Sequence, residues 1–384
     1  MNRRVLFVSN GVGEDLIAAG IAGIVQDAGA EATAYPLVGL GAYPTHTSLL
    51  DPRRELPSGG FSFRAGSRGL GADLAAGIAG LWFAQRRTLT RQRDRFDLVV
   101  AVGDVYCLWM AAIASPRPVM VATAESVRSS RFGLSARWVL RRHARHIFAR
   151  DPDTAEALTA MGLPAEAPGN VMMDLLKRTG ETFGLPQETP VVTLLPGSRR
   201  DAEENASLMA RAADVIARET ADVRFLLAVA PTVSAASIME RCGTLDAAAT
   251  ASDGGLQIGR ARVQLTTAFA DAVARAWVVL GMAGTANEQA AGLGRPVVAF
   301  PGHGAQFGPQ FLRTQHQLLG DALVPARDWR EAAGVVVRLL RDSGERERRG
   351  AAGRERMGPP GGTRRIADAL LGILAGLNSR RLMR

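Results

Sequence analysis

Two short motifs in the second half of the chain combine glycine with side chains that suit a phosphorylated ligand. The first is Leu195-Pro196-Gly197-Ser198-Arg199, and the second is Gly284-Thr285-Ala286-Asn287-Glu288. Each follows a short apolar run typical of a buried strand and leads into a helical pattern. A turn from a parallel strand into a helix leaves backbone N–H groups unpaired at the edge of the sheet, where they bind anions. The two motifs together predict a nucleoside diphosphate site.

Different side chains of the two motifs suit different parts of such a ligand. The fork of the Arg199 guanidinium matches phosphate oxygens, and Glu288 lies one helical turn after the glycine, at about the reach of a ribose. Phosphate contacts from the two turns are predicted at Gly197, Ser198, Gly284 and Thr285. The alternative interpretation is a solvated arginine in an arginine-rich protein, together with a simple tight turn after the second strand.

Carboxylates also follow two predicted strands of the first half. After the strand at 5–9 come Gly11, Gly13, Glu14 and Asp15. After the strand at 98–102 come Gly103 and Asp104. Acids at these places either cap the next helix and complement its dipole or contact a ligand, because ligands of α/β proteins bind at the carboxyl ends of the strands. Both interpretations are open from the residues alone.

The alternation of strand and helix patterns predicts an α/β protein with two parallel sheets. Strand patterns occur at 5–9, 31–38, 98–102, 119–122 and 146–149, and they resume at 191–195, 223–229, 263–266, 278–281 and 296–300. Prolines and glycines cluster between 164 and 190, where we place the hinge. We predict domains at 1–168 and 169–362, followed by a terminal helix at 363–384 that packs back on the first domain. A length of 384 residues also favours two domains.

These motifs resemble lipid-A-disaccharide synthase and the lipid-A-disaccharide synthase-related proteins. The similarity includes the opening strand and Gly/Glu/Asp loop at 5–15, and Gly169-Asn170-Val171-Met172-Met173-Asp174, which is similar to the family's Gly-His-x-x-x-Asp. The resemblance implies the GT-B fold, with two Rossmann-like doubly wound parallel-sheet domains facing a cleft. It also implies a metal-independent glycosyltransferase that moves a sugar, an N-acetylhexosamine, from a UDP-sugar to a lipid-linked acceptor, with no cofactor.

The resemblance further implies catalytic and acceptor-binding roles in the first domain. Asp104 stands at the position of the family's proposed general base, with Glu14 and Asp15 as further catalytic candidates and Gly11 and Gly13 as acceptor contacts. Two segments depart from the family. Its Gly-x-Asp-x-Pro-Asp is Gly103-Asp104-Val105-Tyr106 here, and its acceptor segment rich in tryptophan is replaced by 122–128. The acceptor is therefore expected to differ from a lipid A precursor.

A loop after the strand at 296–300 carries two glutamines, Gln306 and Gln310. It resembles the donor loop of the peptidoglycan N-acetylglucosaminyltransferase, which implies that these amides contact hydroxyls of the donor sugar. The alternative is that they are ordinary exposed loop residues. Two other functions compete with the transferase: a UDP-GlcNAc epimerase of the same two-domain plan, and a sugar-nucleotide- or lipid-binding protein without catalysis.

The charge distribution favours an anionic partner for the first half of the chain. The net charge is +9, and the stretch 128–150 holds seven arginines and no acid, at positions 128, 131, 137, 141, 142, 145 and 150. No nucleic-acid-binding motif accompanies them. Together with the apolar run at 70–83, they predict contact with an anionic membrane surface. Two distant cysteines and the lack of a signal-peptide pattern predict a cytoplasmic protein, peripheral on the inner face of the membrane.

Metal binding has one candidate pattern, Asp151-Pro152-Asp153, which is similar to the Asp-x-Asp motif of other glycosyltransferases. The triplet precedes a helical pattern, where Asp is a common N-cap and Pro a common first-turn residue. The five histidines show no ligand spacing. We therefore predict that Asp151 caps a helix and that the protein uses no metal.

Overall fold

A computed structural model describes residues 3–55, 77–198, 201–245, 249–252, 255–302 and 307–382. The chain divides into two compact units, the first formed by Met1–Leu175 and Pro360–Arg384 and the second by Leu176–Pro359. The first division thus falls after Leu175 rather than after residue 168. The reason is local, because the Asp174 carboxylate accepts the backbone N–H groups of Gly361 and, at 2.7 Å, of Thr363. This contact ties 169–175 to the chain that returns to the first unit.

The first unit is built on a seven-stranded sheet in the order β3-β2-β1-β4-β5-β6-β7, with every neighbouring pair parallel. The strands are β1 Arg4–Ser9, β2 Glu31–Pro36, β3 Ser48–Leu49, β4 Leu98–Gly103, β5 Val119–Ala122, β6 His146–Ala149 and β7 Ala165–Glu166. The helices are α1 Val12–Asp27, α2 Ile78–Arg91, α3 Val105–Ala114, α4 Leu134–His143, α5 Pro152–Ala160 and, from the end of the chain, α13 Gly362–Leu382. The central strands are continuous apolar runs because helices cover both faces of the sheet.

The second unit is built on an eight-stranded sheet in the order β10-β11-β12-β9-β8-β13-β14-β15. Its strands are β8 Val191–Leu195, β9 Arg224–Ala228, β10 Ala249–Ser252, β11 Gly255–Ile258, β12 Ala261–Thr266, β13 Val278–Gly281, β14 Val297–Ala299 and β15 Leu323–Pro325. The strand pairs β10–β11 and β11–β12 are antiparallel and the others are parallel. Its helices are α6 Ala202–Glu219, α7 Ala235–Leu245, α8 Phe269–Arg275, α9 Thr285–Gly292, α10 Pro309–Leu319, α11 Trp329–Arg341 and α12 Ser343–Met357.

Among the parallel strands of each sheet there is a point where the strand order reverses. In the first unit β1 lies between β2 and β4, and in the second unit β8 lies between β9 and β13. The loops that follow β1 and β4, or β8 and β13, leave the sheet toward opposite sides and open a crevice at the carboxyl ends of the strands. Ligands of doubly wound α/β sheets bind in this crevice. The predicted fold class, two α/β domains built on parallel sheets, is confirmed.

Helix α13 packs against α1 within the first unit. The approach is close, since a Cβ added at Gly20 would lie 3.4 Å from Cγ2 of Thr363. The apolar run predicted at 70–83 is described only in part, because residues 56–76 lie outside the described chain and α2 begins at Ile78. Among the described residues, no helix has the length and apolar character needed to span a bilayer.

Candidate functional site

The loops after β1 and β4 meet at the reversal point of the first sheet. Their strands are in register, with Ser9 beside Val102. Gly11 and Gly103 have φ values of 134° and 143°, which only glycine adopts readily. A Cβ added at Gly103 would lie 3.5 Å from Cγ of Glu14. The half-buried Glu14 therefore lies directly against the turn that carries Asp104, so the structure brings these two predicted residues together.

Asp104 is the N-cap of α3, and its carboxylate accepts the backbone N–H of Cys107 at 3.0 Å. Burial raises the pKa of Asp104 to about 6, the hydrogen bond from Cys107 acts in the opposite direction, and the charge of Glu125 raises the pKa further. Capping and catalysis are thus compatible at this residue. A carboxylate with a pKa near 6 is ionised at neutral pH and binds a proton more strongly than an ordinary aspartate, as a general base requires.

Asp15 is committed to a buried hydrogen-bond network. The hydroxyl of Ser9 donates to Oδ1 of Asp15 at 2.6 Å, and the backbone N–H of Ala42 donates to Oδ2 at 3.3 Å. Because the Ser9 proton points to the carboxylate, the Tyr43 hydroxyl donates to Ser9, at 2.7 Å. The Asp15 side chain is fully buried. Its contacts hold the loop at 42–43 against the end of β1, which is a positioning role beside the crevice.

The network predicts how pH affects stability. Burial, opposed by the hydrogen bonds from Ser9 and Ala42, raises the pKa of Asp15 to about 6 from 3.8. The folded state disfavours the charged form of Asp15. The protonated carboxyl therefore contributes to the free energy of unfolding fully below the unfolded-state pKa, and this contribution is lost as pH rises through about 6. Asp15→Asn should reduce the fall in unfolding free energy between pH 4 and pH 7.5 by about 2–3 kcal/mol, measured by urea titration. Asp27→Asn, at the exposed end of the same helix, is the control, and an unchanged slope in Asp15→Asn would contradict the assignment.

The loops after β8 and β13 meet in the same way in the second unit. Gly197 has a φ of 100°, and a Cβ added there would lie 3.3 Å from the carbonyl oxygen of Met282. A Cβ at Gly284 would lie 3.3 Å from Cζ of Phe311. Gly284 is the N-cap of α9, whose first residue is Thr285. Glycine at 197 lets the turn after β8 approach the end of β13, and glycine at 284 lets Phe311 of α10 approach the start of α9.

Glu288 lies in the first turn of α9 and is nearly buried, with 7% of its surface exposed. Its Oε1 accepts a hydrogen bond of 3.1 Å from Nε2 of Gln315, on α10. The predicted Gln310 lies in the first turn of the same helix and is exposed. Arg199 and Gln306 lie outside the described residues.

Sequence reasoning missed several polar residues of the two crevices. They are Ser9, Tyr43 and Glu125 in the first unit and Gln315 in the second. Ser9 carries a signal, since it is the one hydroxyl at the end of an otherwise apolar strand. The other three come from loops or helices whose contacts depend on the tertiary fold.

The Asp151 prediction is confirmed. Asp151 is the N-cap of α5, with Pro152 in the first turn. Its Oδ1 accepts both the backbone N–H and the hydroxyl of Thr154 at 2.8 Å, and its Oδ2 accepts the Ser126 hydroxyl at 2.8 Å. These bonds show Asp151 in a structural role, because a capping carboxylate satisfies the first N–H groups of the helix.

Comparison with known proteins shows the fold. No known family profile matches the chain, and no curated protein matches it. Among solved structures, the calicheamicin glycosyltransferase CalG4 is similar at 16% identity over 97% of this chain and 98% of its own, with a TM-score of 0.63. MurG of Acinetobacter baumannii is 13% identical over 96% of this chain and 99% of its own, with a TM-score of 0.59. The UDP-GlcNAc 2-epimerase of Neisseria meningitidis, bound to UDP-GlcNAc, is 13% identical over 96% of this chain and 100% of its own, with a TM-score of 0.57. The chain has the GT-B fold that these enzymes share.

Proposed function

We propose that this protein is a glycosyltransferase that moves an N-acetylhexosamine from a UDP-sugar to a lipid-linked acceptor. One observation carries the proposal: the turns that hold Gly197 and Gly284, and those that hold Glu14 and Asp104, lie at the strand-order reversals of two separate sheets. One reversal presents glycine turns and the start of a helix, which suit phosphates. The other presents carboxylates, among them Asp104 with its pKa raised to about 6, which suits proton transfer.

The second unit binds the donor in this proposal. Backbone N–H groups at Gly197, Ser198 and the start of α9 contact the diphosphate, and Arg199 adds a charged fork. The Glu288 carboxylate accepts hydrogen bonds from the ribose hydroxyl groups. The positive end of the α9 dipole also stabilises the negative charge that develops on UDP as it leaves. Gln306 and Gln310 are proposed contacts to the sugar.

The first unit binds the acceptor and supplies the base. The Asp104 carboxylate takes the proton of the acceptor hydroxyl, and the freed oxygen forms a bond to the anomeric carbon of the sugar. The bond from that carbon to the UDP oxygen breaks, and its electron pair leaves with UDP. Glu14, against the same turn, and the glycines at 11 and 13 contact the acceptor. The resemblance to lipid-A-disaccharide synthase supports a glycolipid acceptor.

An epimerase is the second candidate function, because UDP-GlcNAc 2-epimerases are among the proteins that share the fold. One experiment separates the candidates: incubation with UDP-GlcNAc, with and without detergent-dispersed glycolipid. Release of UDP that depends on the glycolipid supports the transferase. A new UDP-sugar formed without acceptor supports the epimerase. Saturable binding with no turnover in either arm supports a non-catalytic binding protein.

A membrane surface is the proposed source of the acceptor, and α4 offers the contact. Leu134 and Trp138, one helical turn apart, are 85% and 61% exposed, and Arg141 and Arg142 follow them on the exposed side. Helix α4 packs against α3, which Asp104 caps. The apolar run at 70–83, predicted to contact the membrane, continues into α2, where the two aromatic side chains differ. Phe83 is 67% exposed, whereas Trp82 stacks on Trp109 with ring centroids 6.1 Å apart.

The predicted consequence is salt-sensitive binding to anionic vesicles. Each arginine near such a surface contributes about 1 kcal/mol, so Arg141→Gln/Arg142→Gln should weaken binding about tenfold or more, as should Leu134→Ser/Trp138→Ser. Sedimentation with phosphatidylglycerol vesicles measures the effect. Arg260→Gln/Arg262→Gln, an exposed pair of the second unit, is the control. Wild-type protein that stays in solution at low salt would contradict the membrane contact.

A further inference from the structure

The amide of Gln315 has a fixed orientation in the second unit. Glu288 and Gln315 are 7% and 4% exposed, and Nε2 of Gln315 lies 3.1 Å from Oε1 of Glu288. A carboxylate accepts and never donates, so the amide must turn its NH2 group to Glu288. The carbonyl oxygen of Gln315, the other polar atom of the same amide group, then lies beside the Glu288 carboxylate.

That carbonyl oxygen lacks a hydrogen-bond partner among the described residues. Buried polar atoms are nearly always paired, and a buried acceptor without a donor is costly. A hydroxyl group of a bound ligand would satisfy this oxygen. Beside it stands Glu288, which also only accepts. Two adjacent acceptors fit a ligand that presents two donors close together.

A vicinal diol presents two such donors, and the position of the pair indicates which diol. Glu288 lies in the first turn of α9, whose N-terminus is the proposed phosphate site. The ribose of a nucleoside diphosphate lies next to its phosphates. We propose that Gln315 is a specificity-determining residue: it orients Glu288 and, through its carbonyl oxygen, accepts a ribose hydroxyl, so that the site selects ribonucleotides over deoxyribonucleotides. This inference rests on the proposed donor function.

The neighbouring side chains support a built site. Asn287 is fully buried and donates from Nδ2 to the carbonyl oxygen of Gly281 at 3.3 Å, which anchors the first turn of α9 to the end of β13. Phe311, on the same helix as Gln315, packs against Gly284 and against Phe307, with ring centroids 5.3 Å apart. These contacts hold the start of α9 and the helix that carries Gln315 in place around the pair.

The test compares three probes, UDP, 2′-deoxy-UDP and 3′-deoxy-UDP, by calorimetry. Wild type should bind at least one deoxy analogue about tenfold or more weakly than UDP, because a site built around a hydroxyl rejects a ligand that lacks it. Gln315→Met keeps the length of the side chain without its polar atoms. The variant should bind UDP more weakly, so that its affinity for UDP exceeds its affinity for that deoxy analogue by less than about threefold. Its affinity for the deoxy analogue itself should stay within a factor of about two of the wild-type value.

Gln317→Met is the matched control, since Gln317 is exposed on the same helix and the wild-type ratio should persist there. If Gln315→Met does not fold, Gln315→Asn, which retains the amide but falls short by one methylene, should show the same loss of ratio. Equal affinity of wild type for all three probes, or an unchanged ratio in the variants, would overturn the role of Gln315 while leaving donor binding intact. Absence of any UDP binding would overturn the donor function itself.

Discussion

Asp104→Asn is expected to lower the rate of sugar transfer by about a hundredfold to ten-thousandfold, the usual cost of losing a general base. Asparagine retains the oxygen that accepts the Cys107 N–H, and Asn and Asp cap helices about equally well. The variant should therefore fold normally and bind UDP as wild type does. The measurement is UDP release under single-turnover conditions with saturating glycolipid.

The pH dependence of turnover is an independent test of Asp104 as the general base. The active form is the carboxylate, and burial raises the pKa of Asp104 to about 6. Turnover should rise with pH through about 6 and level off above 7, and the residual rate of Asp104→Asn should lack this step. Asp328→Asn replaces another N-cap aspartate, at the exposed start of α11, and should leave turnover unchanged. Normal turnover in Asp104→Asn would move the base to another residue, with Glu14 the first to examine.

Arg199→Ala is expected to weaken UDP binding about tenfold or more. A hydrogen bond between a guanidinium and a phosphate stabilises a complex by about 1.5–3 kcal/mol, and the fork of arginine contacts two oxygens at once. Arg199→Lys keeps the charge without the fork and should fall between wild type and alanine. Calorimetry with UDP measures all three proteins.

The control for this series is Arg218→Ala, because Arg218 is an exposed residue of α6 that pairs with Asp214 on its own helix. Its removal should leave UDP affinity within a factor of about two. If Arg199→Ala also retains wild-type affinity, the diphosphate does not lie at the turn after β8. The donor would then have to be sought elsewhere in the second unit.

Much of the secondary structure follows from local sequence. The strand predicted at 278–281 is β13, and the strand at 191–195 is β8. Both are short apolar runs bounded by turns, a pattern that does not depend on distant residues. The antiparallel strands β10 and β11 were missed because each has only four residues and includes alanine or glycine, which are depleted in strands. They form by antiparallel pairing, β11 along β12 and β10 along β11.

The candidate site shows the same division. Gly197, Gly284 and Asp104 were predicted from sequence, because a glycine turn or a capping acid between a strand and a helix is a pattern of adjacent residues. Gln315 was not found, since its contact with Glu288 spans 27 positions in the chain. Nothing in the sequence around Gln315 distinguishes it from Gln317, whose side chain is exposed.

The sequence by itself determined the alternation of strands and helices and the glycine turns and carboxylates between them, because these depend on neighbouring residues and on the geometry of the backbone. Only the tertiary structure decided which strands are adjacent, since pairing in a parallel sheet joins residues far apart in the chain. That pairing put β1 beside β4 and β8 beside β13. Packing then buried Asp15 against Ser9 and joined Gln315 to Glu288, contacts that exist only once the helices cover the sheet.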